Sequence, residues 1–408
     1  MKKYFYPALL LCLFAGACSF FLLPGCDKSG GKLYTVYEPI YTSRSAALAA
    51  INGNPARGID SAGKIYINGP YIFVNDMNKG IHVIDNRKPA SPVQIAFISV
   101  PGNQDIAIKG NTLYADMYDA LLAIDISDVR HVRITGQLPH LFVMRKYVNG
   151  HLITDDSVIT GWTKKFTKDP PTYGCQCPMF LDQAFSSSST LGIGGSMAKM
   201  VLLNDRLYAL SDDHGLQIIN LQNAAQPALG TRINAGFDLE TIYPFRNKLF
   251  LGSSTGVYIY DLTNPDAPVA NGTFWHGKAC DPVITDGDYA YVTLHEGTWC
   301  GGAANELDVV NVKDLNNPQL VKTYPLKKPM GLSKDGKFLF VCDADGMKVF
   351  NASDPTSLKF VKTLATGSAY DAIATGNRLL VSSDKGIYQY DYSKDRIPFL
   401  SVLPAAHQ

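Results

Sequence analysis

Apolar positions in this chain fall in short strand-length clusters with no helical period, and one cluster keeps returning. Gly80-Ile81-His82-Val83-Ile84-Asp85 reads as a glycine, four residues of strand character and a closing acid. The same phrase recurs at Ala120–Asp125, Gly215–Asn220, Gly256–Asp261, Glu306–Asn311, Gly346–Asn351 and Gly386–Asp391. Its closing acids or amides lie 40, 95, 41, 50, 40 and 40 residues apart, the spacing of a repeat array carrying two insertions.

From Gly63 onward each unit has one grammar, plainest in the second: residues 105–111, 113–117, 121–126 and 132–136 are four short strands with turn residues between them and no amphipathic helix. Four antiparallel strands per roughly 40 residues, repeated, describe a β-propeller blade. Counting second strands from Tyr71-Ile-Phe-Val to Leu379-Leu-Val predicts an all-β propeller of eight blades, with seven as the alternative. The eighth unit depends on His151-Leu-Ile-Thr, at 142–162 inside the long gap. Gly80, Gly215, Gly256, Gly346 and Gly386 sit where a tight hairpin into the third strand calls for positive φ. Prolines such as Pro92, Pro227, Pro268, Pro318 and Pro398 follow the third strand, where an outer strand tolerates a missing N–H.

Upstream, residues 26–62 read as a tether and connector. Ser45 to Ile51 is a short helical patch that Ser43 or Thr42 would cap. A second departure from the repeat is an insertion at about 163–196.

The third-strand phrases Ile81–Asp85, Leu121–Asp125 and Leu216–Asn220 resemble the LVIVD repeat of bacterial and archaeal cell-surface proteins, and the stretch from Gly63 through Asp116 is similar to lipoproteins of that family in Bacteroidetes. The resemblance covers about 63–403 and implies a propeller; it supplies no activity to transfer.

The N-terminus adds an address. Lys2 and Lys3 precede an apolar run from Tyr4 to Leu23 that Pro7 and Gly16 interrupt, so residues 1–25 read as an export signal and not as a membrane span. Leu22-Leu23-Pro24-Gly25-Cys26, followed by Asp27-Lys28-Ser29-Gly30-Gly31, resembles a bacterial lipobox, which makes Cys26 the lipidated residue. Cys18 is a second candidate, though cleavage there would leave Phe20 to Leu23 on the mature end. The expected setting is the bacterial outer membrane or cell surface, with a periplasm-facing tether as the alternative. Net charge is +1, from 37 basic and 36 acidic residues without long runs of either, which argues against a nucleic-acid partner.

Candidate chemistry gathers on the rim that carries second-to-third-strand turns and blade-to-blade loops. Asp105, Asp281 and Asp371 each open a first strand there, and they either satisfy loop amides or bind a ligand. The turn from His295 to Glu306 is swollen and contains Trp299 and Cys300, while Trp275, His276 and Cys280 lie in or near the loop entering the same unit. Antiparallel pairing brings Cys280 and Cys300 to one rim, and a disulfide is the expected outcome in an oxidising compartment. A zinc site with His276 or His295 is the weaker reading of the same residues. Cys175 and Cys177, two apart in the insertion, are too close to pair with each other, and Cys342 falls inside a strand as a buried free thiol.

Gly252-Ser253-Ser254-Thr255-Gly256 matches G-x-S-x-G but spans a hairpin, where a nucleophile elbow needs a strand-to-helix turn. The expectation is therefore a monomeric, non-catalytic binding or adhesion module without cofactor or metal, taking a protein or glycan ligand. A hydrolase or lyase at the channel mouth and a thiol or metal protein are the alternatives.

Overall fold

The computed structural model describes residues 33–168, 193–194, 196–197, 199–211, 214–277, 282–296 and 304–406. The chain divides into two compact units, residues 1–38 with 163–176 and residues 39–162 with 177–408. In the first, residues 34–38 and 163–167 are the ends of two paired strands, with Lys165 Nζ 2.5 Å from Glu38 Oε2. Among the described residues no helix is long and apolar enough to cross a membrane.

The second unit holds seven antiparallel sheets built on four strands each, and the third strand of every sheet is one repeat phrase, residue for residue. The inner strands are Ala62–Asn68, Ile106–Lys109, Met200–Leu203, Leu239–Phe245, Val283–Thr285, Leu332–Asp335 and Ala369–Thr375. Each touches the next and the last touches the first, so the sheets are the blades of a closed seven-bladed propeller. Because every blade is sandwiched, both faces of its third strand are covered. Leu121, Leu122, Ala123 and Ile124 are all fully buried, and the phrase is nearly continuously apolar instead of alternating.

The blade number is the sequence-stated alternative, seven. Residues 142–162 form no blade, because the inner strand of the second blade packs directly on that of the third. His151-Leu152 pairs only with Tyr147-Val148, and Ser157–Thr167 pairs with Tyr34–Ser43. The connector contains the expected helix, Arg44–Ala49, with the Ser43 hydroxyl accepting the Ala46 N–H at 3.2 Å.

The closing acid or amide of the phrase has one physical role, repeated seven times. Asp85, Asp125, Asn220, Asp261, Asn311, Asn351 and Asp391 each accept, through the side-chain oxygen, the N–H two residues on, at 2.6–3.0 Å. This Asx turn stops the third strand and starts the turn to the outer one. In each blade the next residue's N–H is bonded to a carbonyl of the first-to-second-strand turn, as in Ile126 to Asn111 and Leu262 to Asn247. Every third-to-outer pairing also shifts register once, a bulge that bends the outer strand. Pro92, Pro227, Pro268, Pro318 and Pro398 immediately precede outer strands, as their missing N–H allows.

The glycines that open the phrase are required more for space than for dihedral angle. Gly80, Gly346 and Gly386 have φ of 146°, 129° and 127°, but Gly215 and Gly256 do not have positive φ. All five share a crowded site. A Cβ would lie 2.1 Å from the Ile98 carbonyl oxygen at Gly80, 2.1 Å from that of Leu403 at Gly386 and 2.5 Å from that of Phe274 at Gly256. Gly386→Ala is therefore expected to destabilise the propeller by roughly 2 kcal/mol or more. Gly376→Ala, at φ 53° with open space around it, is expected to cost about 1 kcal/mol. Urea unfolding of the two variants measures the difference, and equal losses would mean that the carbonyl approach does not matter.

Candidate functional site

Two of the three rim acids named from sequence meet, and a residue that sequence reasoning missed brings them together. Lys64, on the inner strand of the first blade, is 1% exposed and forms an ion pair with Asp105, which enters the second blade. On its other side the charge of Asp371, on the inner strand of the seventh blade, also acts on it. Lys64 thus sits where the last blade meets the first. Burial pulls its ammonium well below the usual lysine range, with Asp371 opposing that shift. Burial likewise pushes the Asp371 carboxyl up to about 7, against the pull of Lys64 and of the Ala372, Ile65 and Ser196 amides. Neither Asp371 oxygen has a well-formed hydrogen bond, those amides pointing at it in poorer geometry. Asp281 lies outside the described residues.

The return of the insertion runs through the same place. Ile193-Gly194 pairs with Ile67 and Tyr66 on the inner edge of the first blade, and Ser196 Oγ accepts the Leu332 N–H of the sixth blade at 2.7 Å. Asp105 Oδ2 accepts the Lys199 and Met200 N–H groups at 3.0 and 2.9 Å, and its Oδ1 accepts that of Ile106 at 2.6 Å. A segment bonded to inner strands on several sides of the ring occupies the axial channel. The carboxylate of Asp105 is spent on this main chain and on Lys64, so the reading of the rim acids as loop-amide acceptors fits it.

The same device recurs where sequence reasoning did not look, at the end of second strands. Asp76 accepts the Asp60 and Ser61 amides, Asp116 those of Gln104 and Asp105, and Asp343 those of Lys327 and Lys328. Asp116 is also ion-paired with Arg145, whose guanidinium donates to the Gly102 carbonyl. Burial brings Arg145 down to about 9, still charged at neutral pH. Asp116 and Arg145 border a pocket of about 240 Å³ on the upper face, the rim that carries the second-to-third-strand turns, over the inner strands of the second, third and fourth blades. Its polar wall is Gln104, Asp105, Asp116, Arg145, Lys199 and Ser211.

Further round the rim, Trp275 is 63% exposed and rests edge-on against Tyr258, with ring centroids 5.6 Å apart. Phe237 is 66% exposed and braced in the same way by His214 at 4.6 Å. His276 follows Trp275 and acts electrostatically on three acids, Glu240, Glu306 and Asp308. Burial raises all three, Glu240 to about 7, while His276 pulls each of them down. His295 is buried. Cys26, Cys175, Cys177, Cys280, Cys300 and Trp299 lie outside the described residues, and with them the disulfide and lipidation expectations. Cys342 is a buried free thiol, as its strand position predicts, and burial holds its pKa well above the ordinary value. Ser253 lies in a hairpin with its hydroxyl donating to the Gly256 carbonyl at 2.8 Å, which is no nucleophile elbow.

Among the described residues one group offers metal-ligand chemistry: Asp119, His140 and Asp155 place ligand atoms within 4.8 Å of one another. Asp119 already accepts Arg44 Nη2 and lies beside His140 Nδ1, both at 2.8 Å, and Lys146 Nζ is 3.9 Å from Asp155. Burial raises the Asp119 carboxyl, but these two partners outweigh it and hold it below the usual range. Arg44 also donates to the Thr154 carbonyl at 2.9 Å. The group acts as a clamp that fastens the connector helix to the second blade.

Replacing Lys64 by Met strands a buried carboxylate and is expected to cost roughly 3–5 kcal/mol in denaturant unfolding. Asp371 has a folded-state pKa raised above its unfolded value, so its ionisation opposes folding increasingly as pH rises from about 4 to about 7. Asp371→Asn is therefore expected to gain stability relative to the natural chain across that window. Parallel pH–stability curves for the two proteins would overturn the assignment.

The LVIVD repeat model matches residues 60–96 and 102–137, which contain the first and second blades' third strands. No curated protein matches the chain. Solved structures similar to it include BamB from Moraxella catarrhalis, at 11% identity and TM-score 0.50, covering 87% of this chain and 99% of that one. Sqt1 from Saccharomyces cerevisiae is similar at 9% identity and TM-score 0.51, covering 86% and 87%. A Lactobacillus plantarum protein is similar at 10% identity and TM-score 0.52, covering 84% and 95%. At such identities these structures support the fold alone.

Proposed function

We propose that this LVIVD-repeat propeller is an exported, lipid-anchored, non-catalytic binding module that takes a protein or glycan ligand on its upper face. One observation carries the reading: Trp275 and Phe237 stand in solvent on that face, each braced by a second ring. A large aromatic held rigid and exposed gives contact area at little entropic cost, which is what a binding hot spot needs. Cys26 supplies the tether, at the outer membrane or cell surface. A hydrolase or lyase at the channel mouth would need titratable groups that converge and remain open to substrate. Lys64, Asp105 and Asp371 converge, but each is under 5% exposed and the channel beside them holds the chain's own segment.

The test is a panel of immobilised glycans and purified surface proteins probed with the natural chain and two variants. Trp275→Ala and Phe237→Ala are expected to weaken binding about 10-fold or more. Their thermal midpoints should not move, since exposed positions change stability by roughly 0.5 kcal/mol at most. Hits indifferent to both variants, or saturable turnover of chromogenic glycosides, esters or uronates, would overturn the proposal. For the tether, Cys26→Ser is expected to move the protein from the membrane pellet to the soluble fraction, and retention in the pellet would remove Cys26 as the anchor.

A further inference from the structure

We infer that the upper-face pocket is a socket for one large apolar side chain of a protein partner. The inference rests on the binding-module reading and names its partner class. Size is the first ground: about 240 Å³ falls below the roughly 300–1,000 Å³ of small-molecule sites and suits a single anchor residue. Its apolar wall is Phe142, Met144, Met200, Leu210 and Leu239, and the two methionines can repack around an entering ring or branched chain.

The polar wall favours the same occupant, because the charges of Asp105, Asp116 and Arg145 are already committed. Asp116 is held by Arg145, the Asn103 side chain and two amides, and Asp105 by Lys64 and three amides. A small polar ligand would find these groups occupied, whereas an apolar group asks nothing of them. The lip completes the case for a macromolecule. The single 3-10 turn Val143–Lys146 turns Val143 and Met144 outward, and Tyr147 follows at 68% exposed. This apolar skirt is continuous with the pocket through Met144, which lines one and belongs to the other. A free amino acid would leave the skirt bare, but the surface around a protruding residue would cover it.

The experiment uses the whole chain with 13C-labelled methionine methyls, Met144 and Met200 being assigned through Met144→Leu and Met200→Leu. Probes are N-acetyl-tryptophanamide, N-acetyl-phenylalaninamide and N-acetyl-leucinamide, which carry one side chain on a peptide-like backbone. Saturable shifts of both methyls are expected, with dissociation constants on the order of 1 mM, and no shifts with N-acetyl-glycinamide. Met144→Glu, at a lip position 64% exposed, should weaken the response about 10-fold with the thermal midpoint unchanged. Absence of saturable shifts at these two methyls overturns the socket, as does an equal response to the glycine probe, or a stronger one to methyl glucoside or dodecyl phosphocholine. Trp275→Ala should leave the methionine response intact. Flat methionine shifts alongside array binding that depends on Trp275 would therefore sink the socket and leave the rim reading standing.

Discussion

A four-stranded sheet with two apolar faces cannot stand in water, and everything in this propeller follows from the need to cover both. Each blade is covered chiefly by its neighbours, so the first and last must find each other across more than 300 residues of chain. The seam is where the structure concentrates its long-range bonds. Ile65, Ile72 and Val74 of the first blade share a buried cluster with Ile373, Leu380 and Ile387 of the seventh. Ile59 bridges Ala405 in parallel, Asn86 and Gln389 exchange side-chain amide bonds at 2.8 and 3.2 Å, and Ser401 Oγ donates to the Pro89 carbonyl at 2.6 Å. Lys64 adds a buried charge facing both neighbours. Such a charge is a poor source of net stability, but it tolerates few alternative arrangements, so its position at the seam fits a role in fixing which blade meets which.

The two faces of the ring solve the same problem differently. On the lower face each blade uses the same local bonds, an Asx turn and an amide to the nearby first turn, with partners two to 24 residues apart. Those bonds are written into the repeat, and for that reason seven third strands could be located from residues alone. The eighth unit failed for a reason the repeat itself contains. His151-Leu-Ile-Thr has strand composition, but no third-strand phrase follows it before Gly215, so no Asx turn or outer strand is present to build a blade around it. The third-strand phrase, present seven times, is a better ruler than the second strand.

On the upper face the second-strand acids bond nearby loops, but Lys64, Arg145 and the segment at 193–196 take partners that are distant and particular to one blade, and there the residues by themselves said less. Asp105 and Asp371 could be named because an acid at the start of a strand is conspicuous. Lys64 could not, since a lysine between Gly63 and Ile65 reads as a solvated edge until the ring closes over it. Its two acids lie 41 positions downstream and 307 positions downstream. Arg145 was hidden for a similar reason, in a segment read as a blade. The channel segment was illegible because two residues, Ile193 and Gly194, are too short a strand to show any periodicity.

This division of labour also says where recognition belongs. Main-chain groups of the lower face are consumed by identical bonds in every blade, so a ligand meeting that face would find seven near-copies of one satisfied turn. The upper face is irregular because its acids were recruited to hold connecting loops and the channel segment. Once those charges are committed, what remains outward-facing and distinctive is apolar: Met144, Tyr147, Phe237 and Trp275. A pocket whose acids are already paired selects by shape and by buried area. Binding there should accordingly respond weakly to ionic strength, because Asp105 and Asp116 are compensated by Lys64 and Arg145 before any partner arrives.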